Sequence, residues 1–179
     1  MHHGFTSIVG ALSVVASPVM AQTHDHGAST DCKTALVKLP VDLAGWAEPQ
    51  SARAANTAEM ASAVNLIVGQ AFDLELHPTP SITYTVPSAR PGGAASSGGI
   101  ATFRIDTAGA YRVVAENAVW LDVVLDGQAL KAINHSHGPA CSGIRKMVDF
   151  QLEPGVYILQ LVGSVTPHLR VMVTSVSGA

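Results

Sequence analysis

The chain has 179 residues, enough for one domain with a full hydrophobic core and a small appendage. Hydrophobic side chains make up 47% and charged ones only 13%, which excludes a disordered chain. The formal net charge is −3 and the ten Lys and Arg are scattered, so a nucleic-acid partner, which needs clustered positive charge, is not expected.

The first segment, MHHGFTSIVGALSVVASPVMAQ, carries an apolar run from Phe5 to Met20 that ends in Pro18-Val19-Met20-Ala21, with small or β-branched residues at the positions a signal peptidase reads. This is the pattern of a secretory signal peptide cut after Ala21, and it predicts a periplasmic or secreted protein. The run is shorter than a bilayer span, and no later segment is long enough to cross after cleavage. Export makes a Cys32–Cys141 disulfide the expected state of the two cysteines.

Residues 22–62 read as an N-terminal arm or linker. Pro40 and Pro49 forbid a long helix between them, and the Ala-rich run 51–60 is open to a short helix or a linker. From residue 63 to 179 the pattern is that of strands. FDLELH alternates Phe72, Leu74 and Leu76 with polar residues, and ITYTV (82–86) is β-branched and aromatic. The Gly- and Ser-rich run 89–99 reads as a mobile loop. IATFRID and AYRVVAE follow as strands around Thr107-Ala108-Gly109. VWLDVVLDGQALKAI predicts a hairpin, with Asp126-Gly127 in a type I′ turn that needs positive φ at both residues. IRKMVDFQL and VYILQLVGS predict another through Glu153-Pro154-Gly155, with positive φ at the glycine, and LRVMVTSV closes the chain. The expected fold is all-β: an antiparallel, jelly-roll-like β-sandwich of about eight strands with an irregular N-terminal arm.

Three segments carry a family resemblance: Gly109-Ala110-Tyr111, the Asp122–Gly127 hairpin and the Leu152–Gly163 stretch before the final strand. Over about residues 100–176 they resemble the bacterial pre-peptidase C-terminal (PPC-like) domain. That resemblance implies a jelly roll and a binding or accessory role, towards a ligand or a periplasmic protein. The run HGPxCxGIRKxVxF (137–150) also resembles short exported bacterial sequences of the homogentisate 1,2-dioxygenase group, which implies non-haem iron chemistry. The cupin ligand pattern of the long enzymes with that activity is not reproduced, because Asp149 and Glu153 stand 12 and 16 residues after His137.

The stretch HSHGPACSGIRK (135–146) gathers the candidate site residues. His135 and His137 at i and i+2 can present two imidazoles to one metal, zinc or iron, with His168 or His77 as a third ligand. Cys141 can serve as a nucleophile only if its thiol is free. A disulfide favours a stapled loop instead. After cleavage, Gln22-Thr23-His24, with His26 nearby, has the arrangement that chelates copper through amine, amides and imidazole. Arg145 and Lys146 can receive an anionic ligand, although strand alternation predicts that they point to opposite faces. Trp46 and Trp120 read as core or rim packing. No catalytic residue is assigned, and the leading expectation is a non-catalytic binding or accessory module.

Overall fold

In the computed structural model, the described residues are Met1, His2, Cys32 and 37–176. All but the first two residues of the expected signal peptide, and the copper candidates His24 and His26, lie outside them.

Residues 37–176 form two sheets packed face to face. The first is ordered β1 (Gln50–Arg53), β3 (Ala71–Glu75), β12 (His168–Ser175), β6 (Gly109–Ala115), β10 (Lys146–Leu152) and β9 (Asn134–Ser136). The second runs β2 (Asn65–Leu66), β5 (Ser97–Ile105), β11 (Gly155–Ser164), β7 (Trp120–Leu125) and β8 (Gln128–Ala129), with β4 (His77–Pro78) also paired to β5. Without the accessory strands β1, β2, β4 and β9, eight strands remain. In chain order their spatial sequence is first-eighth-third-sixth in one sheet and second-seventh-fourth-fifth in the other. This is the strand order of a jelly roll. The sheets are mixed rather than wholly antiparallel, because β1 runs parallel to β3 and β2 parallel to β5.

Alternation fixes the inward faces. Phe72 and Leu74, Phe103 and Ile105, Leu121 and Val123, Val148 and Phe150, Leu159 and Leu161, and Val171 and Val173 all enter one core. Phe103 and Tyr157 stack at its centre with centroids 5.4 Å apart. The buried Tyr157 hydroxyl donates to the Glu153 carbonyl (2.8 Å) and accepts from the Glu153 amide (3.1 Å).

Several expectations are corrected. β10 and β11 do not form a hairpin: they lie in opposite sheets, and Glu153-Pro154 carries the chain across the sandwich. Gly155 begins β11 opposite Ile105 and is not among the residues of positive φ. Asp126 and Gly127 do take positive φ, 50° and 76°, as the β7–β8 turn requires. ITYTV is not a strand. The Gln160 side-chain oxygen accepts from the Thr85 and Val86 amides, so those donors cannot enter a ladder. β5 begins at Ser97, inside the expected loop, because a Cβ at Gly98 would lie 2.4 Å from the Leu161 carbonyl oxygen and one at Gly99 2.3 Å from the Ala54 Cβ.

Residues 37–62 are likewise more than a linker. A 3-10 helix, Val41–Ala47, places Leu43 and Trp46 on the outer face of the first sheet against Val114, Met147 and Met172. A single helical turn, α1 (Ala58–Ala61), buries Ala61 against Ile100 on the outer face of the second. Cys32 and Cys141 form the expected disulfide, with Cα atoms 5.0 Å apart.

Candidate functional site

The loop 137–145 joins β9 to β10 and is tied down at several points. Cys141 carries the disulfide. The Trp46 indole donates to the Ser142 carbonyl at 3.1 Å, and the Ser142 hydroxyl donates to the Pro139 carbonyl at 2.6 Å. Ile144 is buried beside Trp46. Gly138 packs so closely on Ile144 that a Cβ would fall 2.3 Å from the Ile144 Cβ. The stretch is a stapled loop leading into a strand.

Beside it lies a basin between the edges of the two sheets. One hollow of about 380 Å³ is lined by Arg90, His135, His137, Arg145 and Lys146 among others. A neighbouring one of about 360 Å³ is lined by Arg90, Trp120, His135 and Lys146, and a third of about 300 Å³ adds Asp122 and Lys131. All three share His135 and Lys146.

Lys146 opens β10 with the inward parity of Val148 and Phe150, but it stands at the sheet end where the core gives way to solvent. Its Nζ donates to the Val119 carbonyl at 2.9 Å and lies 5.3 Å from the centre of the Trp120 ring. Arg90, exposed in the loop before β5, places its guanidinium 5.6 Å from the same ring. Burial pulls the Lys146 ammonium below its usual range. The Arg90 charge adds to this and Asp122 opposes it. On Asp122 burial pushes the carboxyl up, against hydrogen bonds from Trp120 and Gln160 and the charge of Lys146. The Trp120 indole donates to Asp122 Oδ1 at 3.0 Å, while Oδ2 is buried with no hydrogen-bond partner among the described residues.

His135 pairs with Val148 across β9–β10, and both histidines line the first hollow. His137 Nδ1 lies 2.7 Å from the Arg145 carbonyl, which only accepts, so Nδ1 carries the proton and Nε2 is the nitrogen left for a ligand. Arg145 stands one residue before β10 and therefore escapes strand alternation. It lines the first hollow together with Lys146, contrary to the expectation that the two would diverge.

Of the described third-ligand candidates, neither His168 nor His77 stands beside His135 and His137. His168 begins β12, with β6 and β10 standing between that strand and β9. At about 4.8 Å per strand the separation is about 14 Å. His77 sits on β4 in the opposite sheet, its Nε2 2.7 Å from the Ala54 carbonyl. Among the described residues no group of three or more His, Cys, Asp and Glu side chains is placed to hold a metal ion. Cys141, being disulfide-bonded, offers no thiolate.

The charges in the basin are of one sign where it is widest. No carboxylate lines the two hollows that contain Arg90. Among the described residues the ion pairs join Arg53 to Glu75, Arg112 to Asp42 and Asp149, and Arg170 to Asp73. Arg90, Arg145 and Lys146 take part in none of them. Arg90 and Trp120 were not legible as site residues, one being a lone cation in a Gly- and Pro-rich loop and the other a strand aromatic. No known protein family matches the chain, and no curated protein matches it either. Among the described residues no helix is long and apolar enough to cross a membrane.

Proposed function

We propose that this chain is an exported, non-catalytic binding or accessory module whose ligand sits in the basin between β7, β9 and β10. The observation that carries the reading is the joining of three hollows around His135 and Lys146, walled by Trp120, with cations that have no ion-pair partner among the described residues. The disulfide and the apolar run before Ala21 support export. A binding role accords with the PPC-like resemblance over residues 100–176. Cys141, the candidate nucleophile, is held in the disulfide.

A metal-dependent enzyme, dioxygenase-like in one version, is the competing reading, since His135 and His137 share a hollow. Its difficulty is electrostatic. A divalent cation there would face Arg90, Arg145 and Lys146 with two imidazoles and no carboxylate to offset them. A copper-binding role for His24 and His26 is separate from the basin.

Elemental analysis of untagged mature protein, with native mass spectrometry of the same sample, tests the proposal. The expected result is less than stoichiometric iron, zinc or copper and a small-molecule adduct lost in Trp120→Ala. One equivalent of metal that disappears in the His135→Ala/His137→Ala double variant would overturn it in favour of the enzyme.

A further inference from the structure

We propose that the ligand of this basin is a small multivalent oxyanion, of the phosphate or polycarboxylate class, gripped between Lys146 on β10 and Arg90 on the loop before β5. The inference rests on the reading of the basin as the binding site and adds the chemistry of its occupant.

The chain as a whole is acidic, at −3, yet Arg90, Arg145 and Lys146 line one hollow with no carboxylate among its lining residues. Like charges gathered this way repel one another, and Lys146 also loses hydration because it is partly buried. Elsewhere in the fold the half-buried cations are handled differently: Arg112 and Arg170 each fork onto an aspartate through two hydrogen bonds of 2.7 and 3.0 Å. In the basin the Trp120 ring faces both Lys146 and Arg90, and Asp122 acts on Lys146 through its charge without forming an ion pair. A π face compensates a cation far less than a carboxylate does, so both groups keep unspent capacity for an anion.

The donors also differ usefully. Arg90 has a planar fork suited to two oxygens of one group, and its side chain is exposed. Lys146 is fixed by its bond to the Val119 carbonyl, with two of its three protons left to donate. Three cations argue for more than one negative charge on the ligand. The volume of about 380 Å³ suits a small molecule rather than a peptide. Arg90 is exposed at the basin, so a larger molecule can present a phosphate or carboxylate arm while its remainder stays outside.

Trp120 supplies the readout. The chain has two tryptophans, and the other, Trp46, is buried under the loop 137–145 with its indole bonded to Ser142. In a proton–nitrogen correlation spectrum the two indole signals are separate reporters, assigned with Trp120→Phe. Inorganic phosphate and succinate are titrated separately at constant ionic strength, with sodium chloride as the control. The expected result is a saturable shift of the Trp120 signal with at least one of them, half-complete at about 1 mM or below, while the Trp46 signal stays in place. The stronger of the two arms identifies the oxyanion class.

Arg90→Gln and Lys146→Gln should each weaken binding about tenfold, the loss of one charge-assisted contact. Lys146→Arg, which keeps the charge, should retain most of the affinity and guards against a folding defect in the Gln variant. Arg53→Gln, at the far edge strand β1, should change nothing. Unchanged Trp120 signals with both anions, or equal shifts with chloride, would overturn the oxyanion inference. A Trp120-dependent adduct of another chemistry in the mass spectrum would then leave the basin standing as a binding site. Saturable binding that moves Trp46 alone, indifferent to Arg90 and Lys146, would overturn both.

Discussion

Replacing Arg112 with methionine tests the electrostatic account of the first sheet. Asp149 is only 5% exposed, and its carboxylate accepts from Arg112 Nε at 2.7 Å, Arg112 Nη2 at 3.0 Å and Asn134 Nδ2 at 3.1 Å. Asp42 lies 3.6 Å from the same guanidinium. Burial alone would raise the Asp149 pKa, but the Arg112 and Asn134 hydrogen bonds and the Arg112 charge outweigh it and hold the carboxyl below its usual range. Arg112→Met leaves a buried carboxylate with one amide donor. Removing one member of a buried pair destabilises by about 3–5 kcal/mol, and the lower figure suits a site beside the short edge strand β9, where water can enter. About 3 kcal/mol corresponds to a Tm lowered by about 6–12 °C for a domain of this size.

Thermal unfolding at several pH values is the assay. A depressed folded-state pKa contributes stability that is present above the unfolded value, about 3.9, and is lost as the pH falls through the folded value. The gap between wild type and Arg112→Met should therefore be widest near neutrality and narrow in acid. Adding Asp149→Leu should restore part of the loss, since the most buried carboxylate is then gone and only Asp42 is left without its cation. A Tm decrease below about 2 °C, or a gap that persists unchanged in acid, would refute the reasoning. Because Asn134 precedes His135 on β9, the single variant should also loosen the histidine side of the basin.

Other predictions follow from the same geometry. Burial pushes the Tyr84 phenol up to about 12, so a spectrophotometric titration should find it ionising well above pH 10; stability should fall as the pH rises through that window, because the unfolded chain gives up the proton first. Titration of all three tyrosines together near 10 would contradict this. Gly138→Ala drives a Cβ into Ile144 and should displace the loop that carries His137 and Arg145, weakening phosphate or succinate binding more than it lowers the urea midpoint. Equal binding by this variant would show that the loop does not shape the basin. The Cys32–Cys141 bond closes a separation of 109 residues, for which loop-closure entropy gives about 4–5 kcal/mol as an upper figure. Cys32→Ala/Cys141→Ala should lose at least about 2 kcal/mol in urea unfolding. Cys32→Ala/Cys141→Gly should lose about 1 kcal/mol less, because position 141 has φ of +61°. A reversed order of the two variants would count against the backbone argument.

The sequence by itself determined what depends on neighbours along the chain. Alternation in FDLELH settled that Phe72, Leu74 and Leu76 face the core together, since a strand exposes every second side chain to the same side. Asp126-Gly127 announced its own turn because few residue pairs tolerate two positive φ values. Two cysteines in a chain with an export signature announced their pairing. Tertiary structure decided the rest. Glu153-Pro154 can close a hairpin or cross between sheets, and only the partners of β10 and β11, at β6 and β5, select the crossing. ITYTV has every local mark of a strand, yet a glutamine side chain 75 residues away takes its amides. The basin has no signature in any window of sequence. Arg90, Trp120 and Lys146 are brought together by the packing of two sheets and a loop, and whether a cation meets a carboxylate, a tryptophan or an open hollow depends on contacts that no local pattern encodes.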